Sequence, residues 1–346
     1  MNPQAKLVFI ASLFLGTMIT LSSHHWITAW AGLEINTLAV LPLISKSHHP
    51  RAIEAATKYF LAQATASALV LFSSMTNAWY TGQWDITQLT HPVSCLLLTS
   101  AIAMKLGLVP FHFWFPEVLQ GSNLTTGLLL STAMKFPPIT LLYMTSPSLS
   151  PTVLTCMAIL SAALGGWMGL NQTQIRKILA FSSISHLGWM ALIISYSPKL
   201  TLLNFYLYTL MTAAVFLTLN SMKVSKLSTL MTAWTKIPSL NAMLLLTLLS
   251  LAGLPPMTGF LPKWLIIQEL TKQGMAPAAT VISLLSLLSL FFYLRLAYCT
   301  TITLPPHTTN HMKQWHTNKA TSTLVASLTT MSITLLPISP MIHTIV

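Results

Sequence analysis

Charged residues are scarce in this sequence. Only 6% of its 346 residues are Asp, Glu, Lys or Arg, and 53% are hydrophobic. A water-soluble protein carries about a quarter charged residues, so there is too little polar surface here to cover a globular core. Apolar stretches of about twenty residues, each long enough to cross a bilayer, follow one another from residue 3 to residue 344. With a mean hydropathy of +0.68, this pattern predicts an all-α polytopic protein with one membrane domain over 1–346.

The sequence also lacks the motifs that hold nucleotides or redox cofactors. Cys95, Cys156 and Cys299 stand alone on apolar segments, which excludes a cysteine-ligated cluster and predicts buried, unreactive thiols. There is no Walker loop, no dinucleotide fingerprint and no pair of facing histidines for haem. We therefore expect no cofactor and no metal in this chain. Energy for transport would then come from a partner protein or from an ion gradient.

Hydropathy and the positions of Gly, Pro and polar residues predict about eleven transmembrane helices. The expected spans are 3–22, 25–45, 56–79, 93–121, 124–144, 150–170, 174–196, 199–222, 238–272, 275–302 and 321–344. The basic residues occur singly rather than as a patch, which argues against nucleic-acid binding. Most of them fall in loops on the side of the N-terminus: Lys6, Lys46, Arg51, Arg176, Lys177, Lys223, Lys226, Lys236, Lys313 and Lys319. The positive-inside rule then places the N-terminus inside and, with an odd helix count, the C-terminus outside.

Two of the expected spans are interrupted by Gly and Pro in the same pattern. Gly107-Leu108-Val109-Pro110 and Gly253-Leu254-Pro255-Pro256 lie 146 residues apart. A repeat of five helices, an odd number, enters the membrane from the opposite side in its second copy, as in many transporters. The sequence thus predicts two inverted repeats, about 3–144 and 150–302, each with a broken helix, and a terminal helix at about 321–344. Ordinary proline kinks would explain either break alone.

Four charged residues fall near the middle of the expected spans: Glu34, Lys105, Lys135 and Lys263. A charge at this depth costs roughly 2.5–3.5 kcal/mol, which points to function rather than folding. Burial disfavours a charged lysine and a nearby carboxylate favours it, so Glu34 and Lys105 would form an adjustable pair for proton transfer. Water would link sites that are too far apart for direct transfer. The alternative is a structural buried salt bridge, although Lys135 and Lys263 have no obvious acidic partner.

His186 lies within a Ser-rich stretch of the span 174–196. Its unperturbed pKa near 6.5 suits a proton carrier between the two halves, while the alternative is a neutral histidine bonded within a Ser-rich interface. Glu117 is either a relay residue or a helix-end charge. His112 either lines a wet cavity or satisfies carbonyls freed by the break. Three loop histidines lack an acidic or cysteine partner, which favours a solvated loop over a metal site: His307, His311 and His316.

Four stretches of the sequence resemble one known family. They are Gly-Leu-Glu34-Ile-Asn, Ala-Met-Lys105-Leu-Gly-Leu-Val-Pro-Phe-His-Phe-Trp-Phe-Pro-Glu, Leu-Asn171-Gln-Thr-Gln-Ile-Arg176-Lys177-Ile-Leu-Ala-Phe-Ser-Ser-Ile-Ser-His186-Leu-Gly and Gly253-Leu-Pro-Pro-Met-Thr-Gly-Phe-Leu-Pro-Lys263-Trp. They are similar to the antiporter-like, proton-pumping subunits of respiratory complex I, and the resemblance extends over essentially the full chain.

This resemblance implies a membrane-arm subunit of an H⁺-translocating NADH:ubiquinone reductase in the mitochondrial inner membrane. The N-terminus would lie on the matrix side and the C-terminus on the intermembrane-space side. FMN, iron–sulfur clusters and ubiquinone would be held by other subunits. Neighbouring antiporter-like chains, accessory subunits and membrane lipid would be the partners, with no nucleic acid. A helix count of about eleven implies a form that lacks the family's first three helices.

The family's functional positions also carry over to this sequence. The glutamate on the helix before the first broken helix falls on Glu34, the broken-helix lysine on Lys105 and the next helix's lysine or histidine on Lys135. The lysine or glutamate of the second broken helix falls on Lys263, and the central histidine on His186. Two alternatives remain beside this assignment: a free-standing cation/proton antiporter and a purely structural membrane scaffold.

Overall fold

The computed structural model describes residues 3–47, 49–231, 238–301 and 323–338. Within those ranges the chain is helical, with no strand beyond two isolated bridge pairs. Six of the described helices are long and apolar enough to cross a membrane, and three shorter apolar helices accompany them. The chain is therefore an all-helical, multi-pass membrane protein, as the sequence predicts.

One compact unit comprises Met1–Ser161. Its helices are α1 (Pro3–Ser22), α2 (Trp26–Ile44), α3 (Pro50–Thr81), α4 (Pro92–Leu106), α5 (Trp114–Gly121), α6 (Leu124–Ser131), α7 (Phe136–Thr145) and the beginning of α8 (Pro151–Leu170). α2 packs against α1 and α3, and α3 also packs against α4 and α5. The approach of α5 to α3 requires Gly121, because a Cβ atom there would lie 2.5 Å from Cβ of Ala55.

The helix α3 is longer than the sequence indicates. We expected residues 56–79, whereas the helix begins at Pro50 and ends at Thr81. Pro50 is tolerated in the first turn because its missing N–H would have no partner within the helix. The side chain of His49 caps that end by accepting a hydrogen bond from the backbone N–H of Arg51. The polar first turns escape a hydropathy criterion but are helical nonetheless.

The expected span 124–144 is not continuous. α6 ends at Ser131, a short 3₁₀ turn covers Ala133–Lys135, and α7 begins at Phe136. The physical reason is the pair Pro137-Pro138, since neither residue has an N–H to donate to a carbonyl four residues earlier. The interruption places Lys135 at a break in a helix rather than within a regular one.

The second unit comprises Ala162–Val346. Its helices are the end of α8, α9 (Ile175–Ile193), α10 (Pro198–Met222), α11 (Leu227–Met231), α12 (Pro238–Ala252), α13 (Phe260–Lys272), α14 (Ala276–Thr301) and α15 (Thr323–Thr334). The short α11 is absent from the sequence prediction. α9 is enclosed, since every residue from Ile178 to Ile193 is buried. It packs against α10, α13 and α14, and therefore forms the core of this unit.

Both predicted broken helices are confirmed. α4 ends at Leu106 and α5 begins at Trp114, while α12 ends at Ala252 and α13 begins at Phe260. Each first half stops at a glycine in the left-handed region, with φ of 74° at Gly107 and 80° at Gly253. That conformation is accessible to glycine at little cost, so the two glycines set where the breaks begin.

A few expectations differ from the structure or fall outside it. Cys95 is buried and Cys299 half-buried, but Cys156 is exposed, so the expectation of three buried thiols is wrong there. The expected terminal span 321–344 is described only in part. It contains α15, which is followed by a 3₁₀ turn over Leu336–Ile338. The rest of that span lies outside the described residues, as do these side chains: Lys236, His307, His311, Lys313, His316 and Lys319.

Candidate functional site

Glu34 is a half-buried carboxylate on α2. Its Oε2 atom is buried and has no hydrogen-bond partner within the described part of the chain. No ion pair among the described residues joins it to Lys105, but its charge acts through space on both Lys105 and Tyr59. The expected Glu34–Lys105 pair is therefore a through-space electrostatic interaction and not a direct salt bridge in this conformation.

Lys105 lies in the last turn of α4, just before the break, where its side chain is only 4% exposed. Its Nζ atom is buried and, among the described residues, has no hydrogen-bond partner. The side-chain amide of Gln63 on α3 donates to the backbone carbonyl of Lys105 over 3.5 Å. A buried ammonium without a partner is costly, which marks Lys105 as the least satisfied charge of this unit.

Lys135 is better satisfied, although it is only 1% exposed. Its Nζ atom donates to the backbone carbonyl of Leu106 at the end of α4. The same atom lies 3.9 Å from the centroid of the Phe115 ring, a cation–π contact. The carbonyl lies at a helix C-terminus, which carries partial negative charge, and the face of an aromatic ring also attracts a cation. Both contacts therefore stabilise the ammonium group.

A small cavity separates the two lysines. Lys105 and Lys135 line it together with Tyr59, Gln63, Trp114, Leu130 and Met134. Its volume is about 10 Å³. That is close to the lower bound for holding one water molecule, and the polar lining offers several hydrogen-bonding groups to such a water. The structure thus brings the two lysines of this unit to one cavity, whereas Glu34 lies outside its lining.

In the second unit, Lys263 occupies the first turn of α13. Its Nζ atom donates to the carbonyl of Ala252, at the end of α12, over 2.7 Å. Ala252 and Leu106 are 146 residues apart, and in each unit a lysine donates to the last carbonyl of the first half of a broken helix. The lysine comes from a different position in each case, and the sequence pattern alone does not reveal this contact.

His186 is buried in the middle of α9. Its Nε2 atom lies 3.4 Å from the hydroxyl of Tyr293 on α14, and its ring centroid lies 5.5 Å from that of Tyr208 on α10. Lys263 acts on it through space. The histidine and the lysine of this unit thus share one electrostatic environment, with Tyr293 as a partner that the sequence prediction missed.

Glu117 belongs to a surface ion-pair cluster. The Nζ atom of Lys58 lies 2.6 Å from Glu117 and also pairs with Glu54. The side chains of Lys58 and Glu117 are 42% and 51% exposed. Glu117 falls in the first turn of α5, where a carboxylate is favoured by the helix dipole. This placement agrees with a helix-end charge.

His112 lies in the first break and is 2% exposed. Its Nδ1 atom has no hydrogen-bond partner among the described residues. Across the same residues, no group of three His, Cys, Asp or Glu side chains is close enough to hold a metal ion.

The comparison with known protein families decides the affiliation. Residues 23–289 match a family model described as NADH:quinone oxidoreductase/Mrp antiporter, TM. The chain belongs to this family. Residues 290–343 match a second model, described as NADH dehydrogenase subunit 2 C-terminus. The resemblance drawn from the four sequence stretches is thereby confirmed.

Individual relatives agree with the family match. The NADH-ubiquinone oxidoreductase chain 2 of Anas acuta is 75% identical over 346 residues, which is 100% of both chains. A chain of respiratory complex I from Thermus thermophilus superposes with a TM-score of 0.85 at 26% identity, over 97% of this chain and 78% of that one. A chain of the Mrp complex from a Dietzia species shares the fold, with a TM-score of 0.79 at 20% identity over 86% and 61% of the two chains.

Proposed function

We propose that this chain is a proton-translocating membrane subunit of respiratory complex I, the NADH:ubiquinone oxidoreductase of the mitochondrial inner membrane. The observation that carries the proposal is the buried Lys105 ammonium, which has no partner within the described part of the chain and shares a cavity of about one water with Lys135. The family match and the name of the Anas acuta relative support the assignment to complex I. FMN, iron–sulfur clusters and ubiquinone then belong to other subunits, and this chain contributes no redox centre.

The proposed architecture consists of about eleven spans in one antiporter-like domain. Inverted repeats cover about 3–144 and 150–302, and a terminal helix follows at about 321–344. Several equivalences at an offset of 146 residues support this arrangement: the ends of α4 and α12, the starts of α5 and α13, the two glycines with positive φ and the two lysine-capped carbonyls. The basic loops favour a matrix-side N-terminus and an intermembrane-space C-terminus.

Proton transfer in the first unit would involve Glu34, Lys105 and Lys135. Among the residues that the structure describes, Lys105 has no competing partner, so its ammonium can donate a proton to a water in the shared cavity and take one back. The Glu34 charge is near enough to bias this exchange. Lys135 is held by a carbonyl and a ring and exchanges only when one of those contacts opens. Water is needed because the three groups are not directly hydrogen-bonded to one another.

In the second unit Lys263 and His186 would form the transfer pair. Lys263 is anchored on the carbonyl of Ala252, and His186 is a neighbour close enough to sense its charge. Neighbouring antiporter-like subunits, accessory chains and lipid complete the surroundings. The exposed apolar side of α1, with Leu7, Phe14 and Leu15, supports such a covering.

The function is tested by Lys105→Met in the assembled complex, reconstituted in liposomes. Methionine keeps an unbranched side chain of similar length but has no proton to transfer. We expect assembly and NADH oxidation to be measurable and the ratio of protons moved to NADH oxidised to fall. The matched control is Lys272→Met, since Lys272 is exposed at the end of α13 and pairs only loosely with Glu269.

Two outcomes would contradict the proposal. A fully assembled Lys105→Met complex with a normal proton ratio would favour a structural scaffold. Migration of the chain as a stable monomer that exchanges cations in liposomes would favour a free-standing antiporter. Migration only within a large NADH-oxidising assembly supports the complex I assignment.

A further inference from the structure

Tyr59 is a buried tyrosine on α3 to which the sequence gives no role. It is 1% exposed, and its hydroxyl has no hydrogen-bond partner among the described residues. Its ring packs edge-on against Trp114 at a centroid distance of 5.8 Å. A buried phenol normally finds a partner for its O–H, so an unpaired one beside charged groups calls for a physical explanation.

Two features associate this hydroxyl with the charges of the first unit. Tyr59 lines the cavity that it shares with Lys105 and Lys135. It also lies within electrostatic range of Glu34, whose carboxylate does not line that cavity. Tyr59 therefore shares two properties with Lys105: it lines the lysine cavity, and it lies within electrostatic range of the glutamate.

The polar atoms around the cavity divide into satisfied and unsatisfied groups. Nζ of Lys135 has a carbonyl acceptor and an aromatic ring. Nζ of Lys105, the hydroxyl of Tyr59 and Oε2 of Glu34 all lack partners within the described ranges. One water can accept a hydrogen bond from an ammonium and another from a phenol, and it still has two protons to donate.

We propose that Tyr59 is a positioning residue, whose hydroxyl orients a single water in the cavity so that Lys105 can exchange protons toward Glu34. The inference rests on the proposed function. When the Lys105 ammonium gives a proton to the water, the water passes one of its own protons on toward the Glu34 carboxylate, which takes it up. The lysine becomes a neutral amine, the carboxylate becomes a neutral carboxylic acid, the water ends neutral, and the phenol keeps its proton. The phenol therefore fixes geometry and is not a carrier.

The internal repeat shows how the role can be tested without disturbing packing. The position 146 residues after Tyr59 is Phe205, which is buried on α10 and 1% exposed. In the second unit the counterparts of Glu34 and Lys105 are Ala180 and Leu251. In the second unit, a ring without a hydroxyl therefore occupies the position that corresponds to Tyr59, and the counterparts of Glu34 and Lys105 are uncharged. Tyr59→Phe should be tolerated sterically and should remove only the O–H.

The experiment compares Tyr59→Phe with Tyr80→Phe in the assembled, reconstituted complex. Tyr80 lies on the same helix but is 67% exposed, so it controls for the substitution itself. Losing one hydrogen bond near a charge should slow proton translocation per complex by about tenfold. Because the slowed step is a proton transfer, the solvent deuterium isotope effect on translocation should rise. A purely structural loss would leave that isotope effect unchanged.

Each outcome decides the inference. Slower translocation with a raised isotope effect, beside a normal Tyr80→Phe, supports it. Wild-type translocation in Tyr59→Phe overturns it, and if Lys105→Met still lowers the ratio of protons moved to NADH oxidised, the proposed function stands without it. Should Tyr59→Phe fail to assemble, a high-resolution map of the wild-type complex decides instead. Water density in hydrogen-bond contact with both the Tyr59 hydroxyl and Lys105 supports the inference, and a dry cavity overturns it.

Discussion

Replacing Gly253 by alanine adds a single methyl group, which should reduce proton translocation through the second unit. Gly253 follows α12 with a φ of 80°, and a Cβ atom there would lie 2.9 Å from Nζ of Lys263 and 3.0 Å from its Cδ and Cε. Such distances are too short for van der Waals contact, so something must move. The end of a lysine side chain moves more easily than a backbone, and we expect Nζ to leave the carbonyl of Ala252.

Two energetic contributions can be separated. Alanine in a left-handed conformation costs about 1–2 kcal/mol wherever it occurs. Loss of the charge-assisted hydrogen bond from Lys263 adds about 1.5–3 kcal/mol at this site alone. At about 1.4 kcal/mol per factor of ten, the second contribution corresponds to a roughly ten- to 100-fold loss of the anchored lysine conformation.

Gly82→Ala provides the matched control. Gly82 ends α3 with a φ of 73°, and a Cβ atom there meets nothing within 4 Å. This variant therefore carries the backbone strain without displacing any charged group. We expect both variants to lower the thermal stability of the complex, Gly253→Ala by the larger amount, and only Gly253→Ala to lower the ratio of protons moved to NADH oxidised.

A double substitution sharpens the test. If Gly253→Ala acts through Lys263, adding it to Lys263→Met should reduce proton translocation no further than Lys263→Met does alone. Equal proton ratios in Gly253→Ala and Gly82→Ala would refute the reasoning. Additive losses in the double variant would refute it as well, because they would show that the methyl group acts elsewhere.

Two further predictions concern the surface cluster and the α8–α9 contact. Glu117→Gln should leave assembly and proton translocation unchanged, because Lys58 keeps its pair with Glu54 and exposed ion pairs contribute little. A clear loss of translocation would instead make Glu117 part of the proton path. Gly165→Ala should destabilise the complex by about 1–3 kcal/mol in thermal unfolding, because its Cβ would lie 2.9 Å from the backbone of Phe181 and Ser185. An unchanged midpoint of thermal unfolding would contradict this packing argument.

Much of the fold is predictable from the sequence because lipid imposes simple rules on it. Backbone groups must be paired within the bilayer, so apolar runs of about twenty residues become helices. Glycine and proline punctuation locates both broken helices, at Gly107 and Gly253. The start of α3 escapes prediction because Arg51 and Glu54 lower the hydropathy of its first turn, whose end is capped by the side chain of His49. Sequence patterns do not encode such a contact.

The candidate site, like the fold, is predictable from the sequence only in part. Intramembrane charge singles out Glu34, Lys105 and Lys135, because charge at that depth is costly whatever surrounds it. What each charge touches depends on tertiary packing. The carbonyl that anchors Lys135 and the hydroxyl of Tyr59 are invisible in the sequence, since every residue has a carbonyl and a tyrosine in an apolar helix reads as core.

The break at Lys135 is an intermediate case. Pro137-Pro138 signals an interruption, but hydropathy joins 124–144 into one span because both prolines lie in an apolar run. Giving more weight to the two missing N–H groups than to hydropathy would have placed Lys135 at a helix break from the sequence alone.

The central claim is that Lys105 changes its protonation state during turnover. A reaction-induced infrared difference spectrum of the assembled complex, recorded upon addition of NADH and ubiquinone, measures this directly. We expect an ammonium band that changes during turnover in the wild type and is absent from the Lys105→Met spectrum. Identical difference spectra from the two complexes, with both oxidising NADH, would contradict the claim.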